Sequence, residues 1–210
     1  MKPVYIGGIP MALMALMGWA QLPSISVYNV DAGRSSIEID VFRGGLLKAF
    51  GHDHRIAAKR FSGTVQLDSG GVNRSSVSLS IEANSLTVLD PHLSEKERSV
   101  VQTTMEGVEV LDVKAFPKIL FGSTHVSNVR QAGDDLDITL AGRLNLHGVE
   151  KEITFPVHLR FQKSMLRATG IAFITQTDFK ITPISVGGGT VRVKDQVRVD
   201  FDLVAERANP

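Results

Sequence analysis

The chain contains no cysteine. This absence excludes disulfide bonds, thiolate ligands for metals, cysteine nucleophiles and attachment of a lipid through an N-terminal cysteine. A chain of 210 residues can still bury a sizeable core without covalent links, because roughly 70% of the unfolded surface is removed from water at this length. The length is typical of one globular domain.

The sequence also lacks an excess of charge of either sign. Its formal net charge is +1, and lysine and arginine occur singly along the chain. A protein that binds nucleic acid usually carries a basic patch or stripe that follows the phosphate backbone. We therefore expect no nucleic-acid partner.

A long apolar run stands at the N-terminus, from Val4 to Ala20, and Pro10 interrupts it. It ends in the small-x-small tripeptide Gly18-Trp19-Ala20, which is typical of a signal-peptidase site. A membrane anchor is the competing interpretation, but a span needs about 20 apolar residues without such breakers. We expect residues 1–20 to be a signal peptide that is removed, and residues 21–210 to form the mature domain. The mature protein should then be periplasmic or secreted, with no stable membrane span.

Apolar and polar residues alternate along most of the remaining chain, for example from Leu136 to His147 and from Ile153 to Phe161. Successive side chains of a strand point to opposite faces, so each such run has one apolar face. Strands of buried parallel sheets would instead be continuously apolar. The pattern predicts an antiparallel sheet with strands near 25–31, 35–43, 59–68, 75–86, 118–128, 134–147, 151–163, 165–180 and 190–206.

These one-sided strands must bury their apolar faces together, as a sandwich or a closed barrel. Closure also removes the sheet edges that promote aggregation. A barrel of about eight strands has an interior that is either filled by side chains or holds one small ligand. The sequence therefore predicts an all-β antiparallel barrel of about eight strands.

Between Asp90 and Pro117 the alternation disappears. Ser94 and Glu97 have the spacing of a capping box, and Val101, Met105 and Val108 follow at helical spacing. Gly107 weakens this pattern, since glycine is unfavourable inside a helix. We expect one or two short helices between Ser94 and roughly Val110.

Several stretches, taken in order, resemble the YceI-like family of exported lipocalin-like barrels, whose characterised members hold polyisoprenoids or other long-chain amphiphiles. The matching stretches are Tyr28–Asp31, Phe61–Val65, Ser78–Leu86, Asp90–Leu93, Phe116–Thr124, Gly142–Val149 and Thr177–Ile181. The resemblance covers about residues 28–206. It implies a lipocalin-like β-barrel that binds a lipid and is not an enzyme.

Two departures from the family pattern concern one end of the barrel. Leu89 stands where the family commonly has arginine before Asp90. The second strand normally carries a single histidine in an extended run, whereas residues 44–54 of this chain contain His52 and His54 and several glycines. Both changes are expected to alter the mouth of the cavity.

His52 and His54 are the sharpest local feature. Residues two apart on a strand share one face, about 7 Å apart, so two imidazoles can reach one metal ion. His92 could supply a third nitrogen. The alternative is that these histidines form hydrogen bonds with the backbone and close one end of the barrel. Because no third ligand has a recognisable spacing, we predict no metal or cofactor.

The remaining candidates are placed by parity. We expect His54, Asp90 and His92 to be polar groups at one end of a ligand cavity, and phenylalanines to line its wall. The proposed wall residues are Phe61, Phe121, Phe155, Phe173 and Phe179. Small inward residues such as Gly63, Gly142 and Ala168 would leave further room. His125, His147 and His158 fall mostly on polar faces, where solvated surface positions are expected.

No serine hydrolase motif, phosphate-binding loop or pair of catalytic carboxylates occurs in the sequence. The favoured hypothesis is a carrier that sequesters a long apolar molecule of isoprenoid, quinone or fatty acyl type. A histidine-based metal protein with a redox or hydrolytic role is the second hypothesis, and a structural module with a filled barrel is the third. A homodimer is compatible with all three.

Overall fold

The computed structural model describes residues 24–44, 53–186 and 191–208. The predicted signal peptide and His52 lie outside these residues. The described elements are β1 (Ile25–Val30), β2 (Ser36–Gly44), β3 (His54–Ala58), β4 (Phe61–Asp68), β5 (Ser76–Glu82), β6 (Leu86–Val88), α1 (Glu95–Glu106), β7 (Lys118–Ala132), β8 (Asp135–Leu146), β9 (Val149–Gln162), β10 (Met165–Thr175), β11 (Ser185–Val186) and β12 (Val191–Arg207).

Eight strands form a closed ring. Neighbours pair in the order β1, β4, β5, β7, β8, β9, β10 and β12, and β12 pairs back with β1, where Tyr28 lies opposite Arg207. Every one of these pairings is antiparallel. The prediction of an all-β, antiparallel barrel of about eight strands is confirmed.

Three strands of the ring, β1, β4 and β5, each adjoin along the chain, across a bend, a strand that lies outside the ring. β1 and β2 lie one after the other along β12, β2 then pairs with β3, and β3 pairs with β6. The chain bends between β1 and β2, between β3 and β4, and between β5 and β6. At each bend one of the two strands, β2, β3 or β6, extends the barrel wall beyond the ring. The run predicted as one strand over 75–86 is interrupted in this way at residues 83–85.

Two serine hydroxyls satisfy backbone groups at these bends. Ser85 is buried, donates to the carbonyl of Glu82 at 2.7 Å and accepts from the N–H of Arg60 at 3.0 Å. Ser35 donates to the carbonyl of Asp31 at 2.6 Å and accepts from the N–H of Val204 at 2.9 Å. Since buried backbone groups need partners, these hydroxyls stabilise bends that would otherwise leave them unpaired.

Helix α1 begins as the sequence predicts. The Ser94 hydroxyl accepts from the N–H of Glu97 at 3.3 Å, and the Glu97 carboxylate accepts from the N–H of Ser94 at 2.9 Å. The helix ends at Glu106, with Gly107 as its C-cap, so it is shorter than the expected span to about Val110. Within the described ranges, no helix has the length and apolarity needed to cross a membrane.

Three short strands escaped the sequence pattern: β3, β6 and β11. In β3, the three consecutive residues Ile56, Ala57 and Ala58 are all buried, so the segment shows no alternation. The strand predicted over 165–180 ends earlier, at Thr175, because the chain turns into a 3₁₀ helix at Gln176–Phe179.

A single side chain of α1 covers the free edge of β6. The N–H of Val88 donates to Oε1 of Gln102 at 2.9 Å, and Nε2 of Gln102 donates to the carbonyl of Leu86 at 2.7 Å. The side-chain amide thus takes the place of a neighbouring strand. Because Leu86 and Val88 are buried, their backbone groups would otherwise lack partners.

We predict that Gln102→Leu lowers the free energy of unfolding by roughly 1–3 kcal/mol, since it leaves a buried donor and acceptor unpaired. Thr103→Ala, on the exposed side of the same helix, is the matched control and should change stability by less than about 0.5 kcal/mol. Urea denaturation of the three proteins measures the difference. Equal midpoints for Gln102→Leu and the parent would contradict the edge-covering role.

The outer face of β8 and β9 carries an ion cluster. His158 Nδ1 lies 2.8 Å from Asp137 Oδ1, and its Nε2 lies 3.1 Å from Asp135 Oδ2. Arg160 also binds Asp135, at 2.8 Å from Nη2. The hydrogen bond with Asp137, reinforced by that with Asp135, raises the pKa of His158 above its ordinary value of 6.5. The hydrogen bond from Arg160, with that from His158, lowers the pKa of Asp135.

The raised pKa of His158 means that the folded protein binds the proton more tightly than the unfolded chain. The contribution of His158 to stability should be fully present below its unfolded pKa and lost as pH rises through its folded pKa. We predict that His158→Gln lowers the melting temperature at about pH 5 and has little effect at about pH 9. His125→Gln, at an exposed position, serves as control, and a pH-independent effect of His158→Gln would contradict the assignment.

Candidate functional site

The barrel contains a cavity of about 290 Å³. Its lining reaches from Leu67 and Val72, beside the turn after β4, to Met105 and Leu111, next to α1. We call these the turn end and the helix end. Almost every lining side chain is a hydrocarbon; the polar exceptions are Ser75, Ser76, Ser123 and Gln176. The inward parity of the strands therefore produces an apolar chamber.

Three phenylalanines project into the middle of the chamber. Phe155 lies between Phe121 and Phe201, with ring centroids 5.6 Å apart in each pair. Two inward glycines make room for the outer rings. A Cβ at Gly142 would lie 2.4 Å from Phe121 Cζ, and one at Gly170 would lie 2.5 Å from Phe201 Cζ.

Glycines on the inner face were expected to leave further room in the cavity, but neighbouring atoms occupy the space beside them. The space over Gly142 is taken by Phe121, and a Cβ at Gly63 would lie 2.7 Å from the carbonyl oxygen of Ser78. Ala168 differs, because it does line the cavity. A small inward residue thus leaves room in the cavity only where no neighbouring side chain or backbone atom occupies the space beside it.

The five phenylalanines proposed for the wall occupy three different environments. Phe121 and Phe155 line the cavity. Phe61 and Phe179 pack in the surrounding core, where Phe179 is 1% exposed, and neither lines the chamber. Phe173 is 58% exposed on the outer face, because Ala172 and Ile174 take the inward positions of β10.

Two further aromatic residues belong to the lining. Phe161 and Phe201 both contact the cavity, and Phe161 is 36% exposed at the turn end. Both stand in strictly alternating runs, Ile153 to Phe161 and Val197 to Leu203. That alternation puts both on the inward parity, although they are not among the five residues proposed for the wall.

The structure brings His54 and Asp90 together, as the sequence suggested. His54 Nδ1 lies 2.6 Å from Asp90 Oδ2, and Asp90 Oδ1 accepts from the N–H of Arg55 at 2.7 Å. Asp90 is 5% exposed. The pair ties β3 to the segment that precedes α1, at the helix end, but neither residue lines the cavity.

His92 is exposed, and no hydrogen bond joins it to His54 or Asp90. Across residues 24–44, 53–186 and 191–208, no three side chains of His, Cys, Asp or Glu are grouped closely enough to hold a metal ion. The proposed metal set of His52, His54 and His92 therefore has only two members in the described part of the chain, and these two are not joined.

The other histidines differ in their surroundings. His125 is exposed, whereas His158 belongs to the outer ion cluster. His147 is only half-exposed: its Nδ1 lies 3.2 Å from the carbonyl oxygen of Phe179, and its ring packs edge-on against Phe116 at 5.0 Å. His125 and His158 lie on the outer face of the barrel, as expected, whereas His147 is partly covered by Phe116 and Phe179.

The cavity and the barrel around it can now be compared with known proteins. The YceI-like domain model matches residues 28–205 of this chain. No curated protein matches it.

Solved structures with the same fold have little sequence identity to it. The crystal structure of BcnA from Burkholderia cenocepacia is 21% identical, with a TM-score of 0.65 over 83% of this chain and 98% of that one. A polyisoprenoid-binding domain from Saccharophagus degradans, described as implicated in plant cell wall breakdown, is 16% identical, with a TM-score of 0.62 over 86% and 98%. The YCEI protein of Campylobacter jejuni is 14% identical, with a TM-score of 0.54 over 74% and 85%.

At these identities the solved structures show a shared fold and nothing more. The family model is more specific, because it spans nearly all of the described barrel, from β1 to the end of β12. This chain belongs to the YceI-like family.

Proposed function

We propose that this protein binds and carries one long-chain apolar or amphiphilic molecule, of isoprenoid, quinone or fatty acyl type, inside its barrel. The observation that carries the proposal is the continuous hydrocarbon lining of the cavity from the turn end to the helix end. Ligand cavities in proteins begin at about 300 Å³ and are mostly apolar with a few polar groups. The chamber of about 290 Å³ is close to that size.

Such a lining suits a chain better than a polar metabolite. Each buried methylene contributes roughly 0.8 kcal/mol, whereas a polar group without a hydrogen-bond partner is costly to bury. The affinity should therefore come from chain length. The structurally similar domain from Saccharophagus degradans is described as polyisoprenoid-binding, which agrees with this class of ligand.

The lining also favours a binding protein over an enzyme. General acid–base and nucleophilic catalysis need titratable or nucleophilic side chains beside the substrate. Among the described residues that line the cavity there is no Asp, Glu, His, Lys or Tyr, and their only hydroxyls are those of three serines. The His54–Asp90 pair lies outside the lining, where it holds β3 and the start of α1 together.

We place this carrier outside the cytoplasm, in the periplasm or secreted. The support is the apolar N-terminal run that ends at Gly18-Trp19-Ala20, followed by a domain without cysteine. An isoprenoid or acyl chain that leaves a membrane needs shielding from water in such a compartment. The barrel interior provides that shielding.

Ala168 offers a direct test, because it is small and lines the cavity. We predict that Ala168→Trp reduces the affinity for the fluorescent hydrocarbon diphenylhexatriene at least about tenfold, by filling space that the probe would occupy. Its melting temperature should change little, because an open cavity accepts the ring. In a close-packed core the same change would overpack and cost about 1–3 kcal/mol.

Ala141→Trp is the matched control. Ala141 is the outward neighbour of the cavity residue Leu140, so a ring there should leave probe affinity unchanged. Absence of probe binding in the parent protein, together with a large drop in melting temperature for Ala168→Trp, would indicate a filled barrel and overturn the carrier function.

A further inference from the structure

The barrel wall has a gap at the turn end, between β5 and β7. β7 continues to Ala132, but β5 begins at Ser76 and pairs only with the first five residues of β7, Lys118 to Gly122. Beyond Gly122, the last link between the two strands is a bond from the N–H of Val77 to the Ser123 hydroxyl, at 2.9 Å. Within the described chain, the rest of β7 has no partner strand on that side.

The loop over residues 69–75 crosses this gap. It contains the 3₁₀ turn Val72–Arg74, and Val72 lines the cavity. Gly71 precedes the turn with φ of 140°, a conformation that side-chain-bearing residues rarely adopt. This turn contacts β7. At the helix end, Met105 and Leu111 are buried.

Three of the four polar residues that line the cavity stand at this gap: Ser75, Ser76 and Ser123. The hydroxyl oxygen of Ser75 accepts from the N–H of Asp68 at 3.0 Å, and that of Ser123 accepts from Val77. A hydroxyl that accepts one bond still has its own proton to donate. The gap thus presents hydroxyl donors to any oxygen that enters it.

The cavity lining at this gap is also uncharged. No charged side chain lines the cavity within the described residues. The nearest cation on the crossing loop, Arg74, lies 3.5 Å from Asp68 and is partly neutralised by it. A phosphate or carboxylate held among these serines would find no cation in the described cavity lining, whereas an uncharged oxygen needs only a hydrogen-bond donor.

We propose that the gap between β5 and β7 holds the headgroup of the ligand, that Ser75, Ser76 and Ser123 select an uncharged hydroxyl or carbonyl there, and that the chain extends from it to the helix end. This inference rests on the proposed function. It names the specificity-determining residues of the cavity and the direction in which the ligand lies.

The test compares two ligands of equal chain length, 1-hexadecanol and palmitate, as competitors of diphenylhexatriene at pH 8. The parent protein should bind the alcohol about tenfold or more tightly than the carboxylate, since burying an unpaired charge is costly. Ser76→Lys places a cation at the gap, at an exposed position. It should raise the affinity for palmitate relative to that for hexadecanol roughly three- to fivefold.

Gln176→Lys is the matched control, because Gln176 is the polar lining residue away from the gap. It should not improve palmitate binding. If Gln176→Lys improves palmitate binding and Ser76→Lys does not, the headgroup lies at the other end. If neither variant improves palmitate binding, the headgroup is not held by the lining. Either result overturns the inference. The carrier function still stands in both cases if the protein binds diphenylhexatriene.

Ser123→Ala provides a second test that adds no charge. It should weaken hexadecanol binding about three- to tenfold, by removal of one hydrogen-bond donor, and leave diphenylhexatriene affinity unchanged. Equal loss for both probes would mean a general change in the wall and would contradict a headgroup contact. If the parent protein binds none of the three probes, the proposed function itself fails.

Discussion

The pairing of β12 with strands on both of its sides is the constraint on which the rest of the structure depends. One edge of β12 pairs with β10 over eleven residue pairs, and the other edge pairs with β2 and then β1. Because this strand closes the ring, every inward side chain of the neighbouring strands must face a common axis. Because apolar and polar residues alternate along these strands, the interior of the barrel is apolar. The part of the interior that the side chains do not fill is the cavity.

The wall of the barrel is built differently at its two ends. At the helix end the bent strands β2, β3 and β6 extend the wall, and Gln102 of α1 pairs with the free edge of β6. At the turn end β5 begins only at Ser76 while β7 continues to Ala132, and the loop with the turn Val72–Arg74, not a strand, lies against the rest of β7.

The sequence predicts those features that depend on local pattern. Alternation identified the long strands β8 and β9 within a few residues, and the Ser94–Glu97 spacing placed the start of α1. The bends were not predictable, because the partners of their serine hydroxyls are distant in the chain, as with Ser35 and Val204. β3 was missed because both of its faces are covered, which removes the alternation.

The site was predictable to a similar degree. Phe121 and Phe155 reach the cavity from strands of clear parity, but in β10 both parities carry apolar residues, so Phe173 was assigned to the wrong face. The sequence analysis placed His54 and Asp90 at the same end of the barrel but did not predict the contact between them. Its position outside the lining depends on how β3 and β6 extend the wall, which no sequence spacing records.

The central claim is that the barrel interior is occupied by a long hydrocarbon chain. Mass spectrometry of an organic extract of the protein, purified from its native host without detergent, tests this claim most directly. The account predicts a discrete long-chain isoprenoid, quinone or acyl compound, close to one molecule per barrel and reduced in protein carrying Ala168→Trp. An extract with no such compound, from a protein that also fails to bind one when it is supplied, would contradict the account.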